Sequence, residues 1–233
     1  MTDEARKALL FFTVTAAVGI GVVMFGTRVL GLAAGAESEI ITLVKKTEST
    51  ELSLPLAGAS EPLRSTRHHF ERLVVEADPE TRSAQVVTTL DFEGRFGDTT
   101  VSSLGLETLR FEWTEGEWQA QGGLAPRLSE IISVLEARRR ALEAGDVDAL
   151  AKLSGRTPDA LRKDSGLARL LGLRNRRYRV SAWYVRSERG EVLVGEDWRL
   201  EGDTPERPVD QKGTRRLSLQ RNETGFLFDA GVM

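Results

Sequence analysis

Glu196 and Asp197 stand side by side in the stretch Glu191 to Glu201, where they interrupt an otherwise apolar strand pattern carried by residues such as Val194 and Leu200. Neighbours on a strand face opposite ways, so one of the two carboxylates must point inward or mark an irregularity. Tyr178 and Tyr184 are the chain's two phenols, and an extended backbone puts them on one face with Val180 and Ala182. An inward Glu196 beside Tyr184 is therefore the sharpest catalytic candidate, because a buried carboxyl near a specific polar partner has a perturbed pKa. Against it, tyrosine on an apolar strand face is ordinarily core, as Trp183 and Trp198 are expected to be. No catalytic residue is assigned: Glu196, Asp197 and Tyr184 remain pocket candidates only. His68 and His69 precede a strand and read as surface or loop residues.

Composition excludes several chemistries. With no Cys there is no thiol nucleophile, disulfide, zinc–cysteine site or iron–sulfur cluster, and two adjacent His do not build a metal site, so neither cofactor nor metal is expected. An apolar fraction of 40% with 29% charge fits a folded body. The net charge of −3 conceals an asymmetry: residues 1–36 carry +1, residues 37–122 carry −8 and residues 123–233 carry +4. The weak basic excess, without interleaved aromatics, argues against nucleic acid. The basic runs Arg138-Arg139-Arg140 and Arg174 to Arg179 read as solvated, or as contacts for an acidic partner such as the first unit of a neighbouring chain or a lipid headgroup.

Ala8 to Thr27 is twenty residues without a charge, long enough as a helix to span about 30 Å of hydrocarbon. A cleaved signal with a site near Ala36 is the competing reading. The apolar run is longer than an h-region, and Arg28 separates it from that site, which favours a retained anchor. Arg6 and Lys7 place the N-terminus in the cytoplasm and the remainder outside a bacterial inner membrane, in the periplasm.

The elements that must position the candidates fall into two units, 37–122 and 123–233. In the first, a short amphipathic helix precedes strands over Phe70 to Ala77 and Ser83 to Glu93, joined by a turn at Asp78 to Thr81. Thr99 to Trp113 follows, with a shift of apolar phase near Gly105 that suggests a bulge. In the second, Leu128, Ile131, Ile132, Leu135 and Leu142 share one helical stripe ending at Gly145, and Asp146 and Thr157 begin further helices. Strands then run over Tyr178 to Arg186, Glu191 to Glu201, Thr214 to Arg221 and Phe226 to Phe228, with a polar loop from Asp203 to Lys212. The strand regions superpose at an offset of 108, Phe70 on Tyr178, Val86 on Val194 and Leu109 on Leu217, which suggests a tandem duplication. The fold class is α+β: an N-terminal transmembrane helix, then two units with helices packed on curved, cone-like antiparallel sheets.

The run Ala141 to Leu150, with its Gly145-Asp146 break followed by helix and antiparallel strands, resembles the nuclear transport factor 2-like superfamily, which includes ketosteroid isomerases and polyketide cyclases. The resemblance covers about Leu128 to Ala230, with 37–122 as a degenerate copy. It implies a cone whose interior, in the enzymes, holds a carboxylate or His as general base and Tyr or protonated Asp as oxyanion donors. A single anchor ahead of such a fold also looks like the inner-membrane scaffold subunits of type IV secretion systems. The expected function is a membrane-anchored, non-enzymatic binding or assembly module whose partners are other envelope proteins or itself. The alternative is a small-molecule-binding or isomerase-like enzyme using the second cone.

Overall fold

A computed structural model describes residues 35–229 apart from 79, 189, 190 and 224. The apolar segment Ala8–Thr27, with its anchor and orientation, lies outside the described residues. Among those described, no helix is long and apolar enough to cross a membrane.

Helix α1 (residues 35–47) leads into β1 (Ser53–Leu54), β2 (Leu63–Asp78), β3 (Ser83–Phe96), β4 (Thr99–Thr114) and β5 (Glu117–Gln121). Then come α2 (Pro126–Ala144), α3 (Val147–Ser154), α4 (Pro158–Arg162) and α5 (Ser165–Leu171), followed by β6 (Arg174–Glu188), β7 (Glu191–Asp203), β8 (Pro208–Asn222) and β9 (Gly225–Phe228). The stripe read from sequence forms the buried side of α2, which lies against β4, β6 and β9. Gly145 ends α2 at φ 73°, a left-handed conformation that a side chain would strain, and its N–H donates to the Ala141 carbonyl. Asp146 caps α3 through the Ala149 amide, and Thr157 caps α4 through the Ala160 amide.

The strands form one curved, unclosed sheet rather than one sheet per unit. Its order is β1-β2-β3-β4-β6-β7-β8-β9, and every pairing is antiparallel except β4 with β6. β4 is long enough to divide its free edge, giving Thr100–Leu104 to β6 and Arg110–Thr114 to β5. One apolar cluster runs under the whole sheet, from Ile40 and Val44 of α1 through Phe70, Phe92 and Leu135 to Trp183 and Leu219. The polar loop expected from Asp203 to Lys212 shrinks to residues 204–207, because β7 and β8 continue their ladder as far as Asp203 opposite Pro208.

The offset of 108 read from sequence also relates the registers of the β3–β4 and β7–β8 ladders. Val86 faces Leu109 as Val194 faces Leu217, and Gly94 faces Val101 as Gly202 faces Val209, all at the offset of 108. The first strand requires a correction. Phe70 faces Leu90, whereas Trp198, the counterpart of Leu90, faces Val180. The offset from β2 to β6 is thus 110, and the counterpart of Tyr178 is His68, not Phe70. The cause is the connection: residues 79–82 join β2 to β3, but only 189–190 join β6 to β7. Both first strands carry two register shifts, at Ser65/Arg67 and Glu71/Val74 in β2 and at Arg174/Arg177 and Val180/Ala182 in β6. Such bulges bend a strand and curve the sheet over its helices. The bulge expected near Gly105 is absent, since β3 and β4 pair without a shift. The apolar phase changes there because Leu104 and Leu106 lie on the outer face, 50% and 60% exposed.

Candidate functional site

Glu196 does point inward, but its phenol is Tyr178. The register shift between Val180 and Ala182 brings Ala182 and Trp183 both to the inner side, so the alternation changes phase and Tyr184 turns outward. Tyr184 is 50% exposed, and its hydroxyl lies 3.5 Å from Asp197 Oδ2. Asp197 faces the same outer side, where its Oδ1 accepts from Thr214 Oγ1 at 2.6 Å. The three candidates therefore divide, with Glu196 inside the sheet and Asp197 and Tyr184 outside it.

Inside, Glu196 is surrounded by donors. Its Oε1 accepts from Tyr178 Oη at 2.6 Å and Arg138 Nη1 at 3.0 Å, with Arg215 Nε at 3.5 Å, and its Oε2 accepts from Trp183 Nε1 at 3.0 Å. Neither the Glu196 nor the Arg138 side chain has any exposed surface. Arg138 reaches this position because it falls on the apolar stripe of α2, three residues after Leu135 and four before Leu142. Arg215 enters from β8 on the inward phase of Leu217 and Leu219, over the Trp198 ring at 4.5 Å from its centroid. Tyr178 and Trp198 stack at 6.2 Å, and Arg138 lies 5.9 Å from the Tyr178 ring. The expectation that Arg138 to Arg140 are solvated thus fails at its first member. Arg139 instead bridges Glu136 and Glu143, while Arg140 donates to the Gly58 carbonyl.

The electrostatics do not suit a base. Burial by itself would raise the Glu196 carboxyl, but Arg138, the Tyr178 hydroxyl, the Trp183 indole and Arg215 together hold it below the usual carboxylate range. Burial, reinforced by the Glu196 charge, pushes the Tyr178 phenol well above its ordinary value, so it stays a neutral donor to Glu196. A general base needs a pKa near the working pH and room to reach a substrate proton. Glu196 is shifted the other way, and its oxygens are occupied by protein donors.

The first half holds different groups at the corresponding positions. His68, expected at the surface, is buried in β2 and shares a hydrogen bond with Ser65 Oγ at 3.1 Å, whereas its neighbour His69 is half exposed. Burial lowers the His68 pKa. Thr88 stands in the place of Glu196 and donates to the Glu71 carbonyl. Glu107 stands in the place of Arg215 and accepts from the Arg127 and Leu128 amides at 2.9 and 3.1 Å, so a carboxylate from β4 caps α2, which has no side-chain cap of its own. Among the described residues no group of three or more His, Asp or Glu could hold a metal ion.

The outer face of the sheet is open. Cross-strand neighbours there form two rows. Glu93, Ser102, Tyr184, Gly195 and Arg216 stand opposite one another, and so, one pleat along, do Asp91, Leu104, Arg186 and Leu193. Between β3 and β6 they border an open trough of about 450 Å³. The Tyr184 ring covers Gly195, where an added Cβ would sit 3.4 Å from Tyr184 Cδ2. Arg67 spans the acidic end, 2.8 Å from Glu93 and 3.4 Å from Asp91.

The α-helix, Gly145–Asp146 break, short helix and curved sheet implied by the resemblance are all present over Pro126–Phe228. No protein-family model matches the chain, and no curated protein matches it. Among solved structures, the chain is similar to a putative ketosteroid isomerase from Shewanella frigidimarina, at 10% identity and a TM-score of 0.35 over 41% of this chain and 86% of that one. It is also similar to an NTF2-like protein involved in plasmid conjugation, at 10% identity and a TM-score of 0.32 over 71% of this chain and 75% of that one. A protein of Bdellovibrio bacteriovorus matches at 10% identity and a TM-score of 0.36 over 76% of this chain and 94% of that one.

Proposed function

We propose that this chain is a non-enzymatic binding or assembly module, held by Ala8–Thr27 at the bacterial inner membrane with its folded part on the periplasmic side, and that its working surface is the outer face of the sheet. The observation that carries this reading is the group of large apolar side chains left in solvent there: Leu104 and Leu106 on β4, Tyr184 on β6 and Leu193 on β7. Exposed apolar residues are ordinary singly, but a contiguous group rimmed by charge marks an interaction surface. The inner polar residues support the same reading, because Glu196, Arg138, Tyr178 and Trp183 satisfy one another.

Crosslinking in intact cells, followed by solubilisation and mass spectrometry, tests the proposal, with a chain lacking residues 1–36 as control. Stoichiometric protein adducts that depend on the anchor are the expected result. Recovery of the chain without protein adducts, in a form whose melting temperature rises with members of a small-molecule library, would overturn it in favour of an isomerase-like pocket.

A further inference from the structure

We propose that the free edge of β2 pairs with β2 of a second copy of this chain, antiparallel and with Val75 on the two-fold axis, so that the two sheets run on as one. This goes beyond the outer-face reading, because it uses a different surface and stands whatever covers that face. β2 lies next to the end of the sheet, and β1 covers only Leu63 and Arg64 of it. As far as Phe70 the edge is plugged. The Ser65 amide donates to the Leu52 carbonyl, the Phe70 amide donates to Glu48 Oε1 at 2.7 Å, and the Phe70 carbonyl accepts from Lys45 Nζ. Beyond Phe70 no strand among the described residues pairs with it. The ladder shows which groups lie open there. The two-residue turn Gly97-Asp98 closes on Phe96 and Thr99 as a hydrogen-bonded pair, so the even-numbered residues of β3 turn their main-chain groups to β4 and the odd-numbered ones to β2. Val74 and Glu76, opposite Val87 and Gln85, are thereby bound to β3, and Leu73, Val75 and Ala77 turn N–H and C=O to the open edge. Their side chains are only partly buried against the core, and Val74 is 57% exposed. An apolar edge of this kind is a template for another strand, whereas the free edge of β8 begins at Pro208 and carries Asp210 and Lys212, which discourage pairing.

The open stretch is its own complement. Oligomers of identical chains favour closed two-fold pairs. An axis at Val75 sets Val75 against itself and Leu73 against Ala77, so all three open residues exchange main-chain hydrogen bonds and every inward side chain of the joint is apolar. On the outer side Arg72 meets Asp78, both exposed, and Val74 lies along the Glu76 stem. A register one residue off would oppose an inward residue to an outward one. An axis at Glu76 sets that carboxylate against itself and pushes Leu73 past the end of the copy's strand. An axis at Val74 opposes Ala77 to Glu71, which β3 already holds, and drives the copy's Asp78 onto the Lys45 and Glu48 plug. With Val75 on the axis, the copy's strand ends opposite Arg72, just short of that plug.

The absence of cysteine makes the test direct, because any cysteine introduced into the full-length chain is the only one. Residues opposite each other without mutual main-chain hydrogen bonds have Cα atoms about 4.5 Å apart, within the span of a disulfide. Differently tagged Val74→Cys and Glu76→Cys chains, produced together and oxidised with copper phenanthroline, should therefore link to each other, and neither should link to itself. Self-linkage of Val74→Cys or of Glu76→Cys would overturn the register, and no linkage in the mixture would overturn the pairing. Arg72→Glu in both chains should lower the mixed yield by about ten-fold, or ~1.4 kcal/mol, and Arg72→Lys should keep it. An unchanged yield with Arg72→Glu would count against the Arg72–Asp78 contact and hence the register. Val75→Pro removes an amide that only the copy uses, and should abolish linkage while β2 stays on β3. If that variant loses cooperative melting, Ala77→Pro takes its place, and linkage that survives the proline would overturn the pairing. A photoreactive residue at position 74 in intact cells covers the other occupants: adducts only to a different protein, or none, would overturn self-pairing at this edge and leave the outer-face reading untouched.

Discussion

Replacing Glu196 by Gln keeps the shape of the side chain and removes its charge. The one carbonyl oxygen of the amide can still accept from Tyr178 or Trp183, so the principal loss is the charge opposite Arg138, with both side chains at 0% exposure. Removing one member of a buried pair costs about 3–5 kcal/mol, because the other charge stays in a low-dielectric interior. At about 2–4 °C per kcal/mol for a chain of this length, the Tm of E196Q should fall by roughly 10 °C. The pH dependence has a definite sign. The folded-state pKa of Glu196 lies below its unfolded value, so the stability it supplies is complete above the unfolded pKa and is lost as pH falls through the folded one. The variant should therefore lose stability at neutral pH and show a shallower decline in acid. Thermal unfolding of the full chain in mild detergent, followed by tryptophan fluorescence, reads both effects, since the Trp183 indole donates to the altered side chain. An unchanged Tm with an unchanged acid limb would refute the clamp. A catalytic base predicts the opposite pattern, in which neutralising it relieves strain and raises Tm.

Three further substitutions probe the frame around this cluster. Glu107→Gln leaves one acceptor for the two amides that the carboxylate now serves at the start of α2, and should lower the unfolding free energy by about 1–3 kcal/mol, read as a lower urea midpoint with an unchanged slope. Gly94→Ala should destabilise more than Gly202→Ala, because the added Cβ would meet the Arg64 carbonyl oxygen at 2.3 Å in one case and the Arg174 carbonyl oxygen at 3.1 Å in the other. Overpacking of this kind costs about 1–3 kcal/mol, and equal losses at the two sites would count against the closer strand approach at Gly94. Tyr184→Phe should change the unfolding free energy by less than about 0.5 kcal/mol, because a hydroxyl 3.5 Å from its acceptor on an exposed face contributes little, and a larger loss would mean that the phenol is held more firmly than this geometry implies.

Helices and hairpins were legible because their signals are local. The stripe from Leu128 to Leu142, the Gly145 terminus and the Asp146 and Thr157 caps each depend on residues within two turns, and each stands where the spacing places it. The β3 and β7 alternation lined the two strand regions up at an offset that the registers of their ladders share, although the registers themselves come from the structure. What failed was phase across a bulge. Counting by twos from Tyr178 puts Tyr184 inside, and the one-residue shift after Val180 reverses it. The parallel contact of β4 with β6 joins residues about 80 positions apart, and no local pattern announces it.

Arg138 and Arg215 could have been found, since each sits where the periodicity demands an apolar residue: one on the α2 stripe, the other in phase with Leu217 and Leu219. A charged residue at a core position requires a counter-charge, because an isolated buried ion is costly. The only acidic residue on the inward phase of the neighbouring strand β7 is Glu196. Periodicity and this requirement together identify the pair without coordinates. The same logic explains why the first half differs while keeping its register. There the helix supplies no arginine, the strand position equivalent to Glu196 is Thr88, and the buried acid, Glu107, is answered by the Arg127 and Leu128 amides and the Arg127 side chain on a helix from the other half. Each half thus satisfies its buried polar groups by a different route. In the first, that route crosses into the second, so Glu107 makes the α2 terminus depend on β4. Charge at these positions ties the two halves into one body.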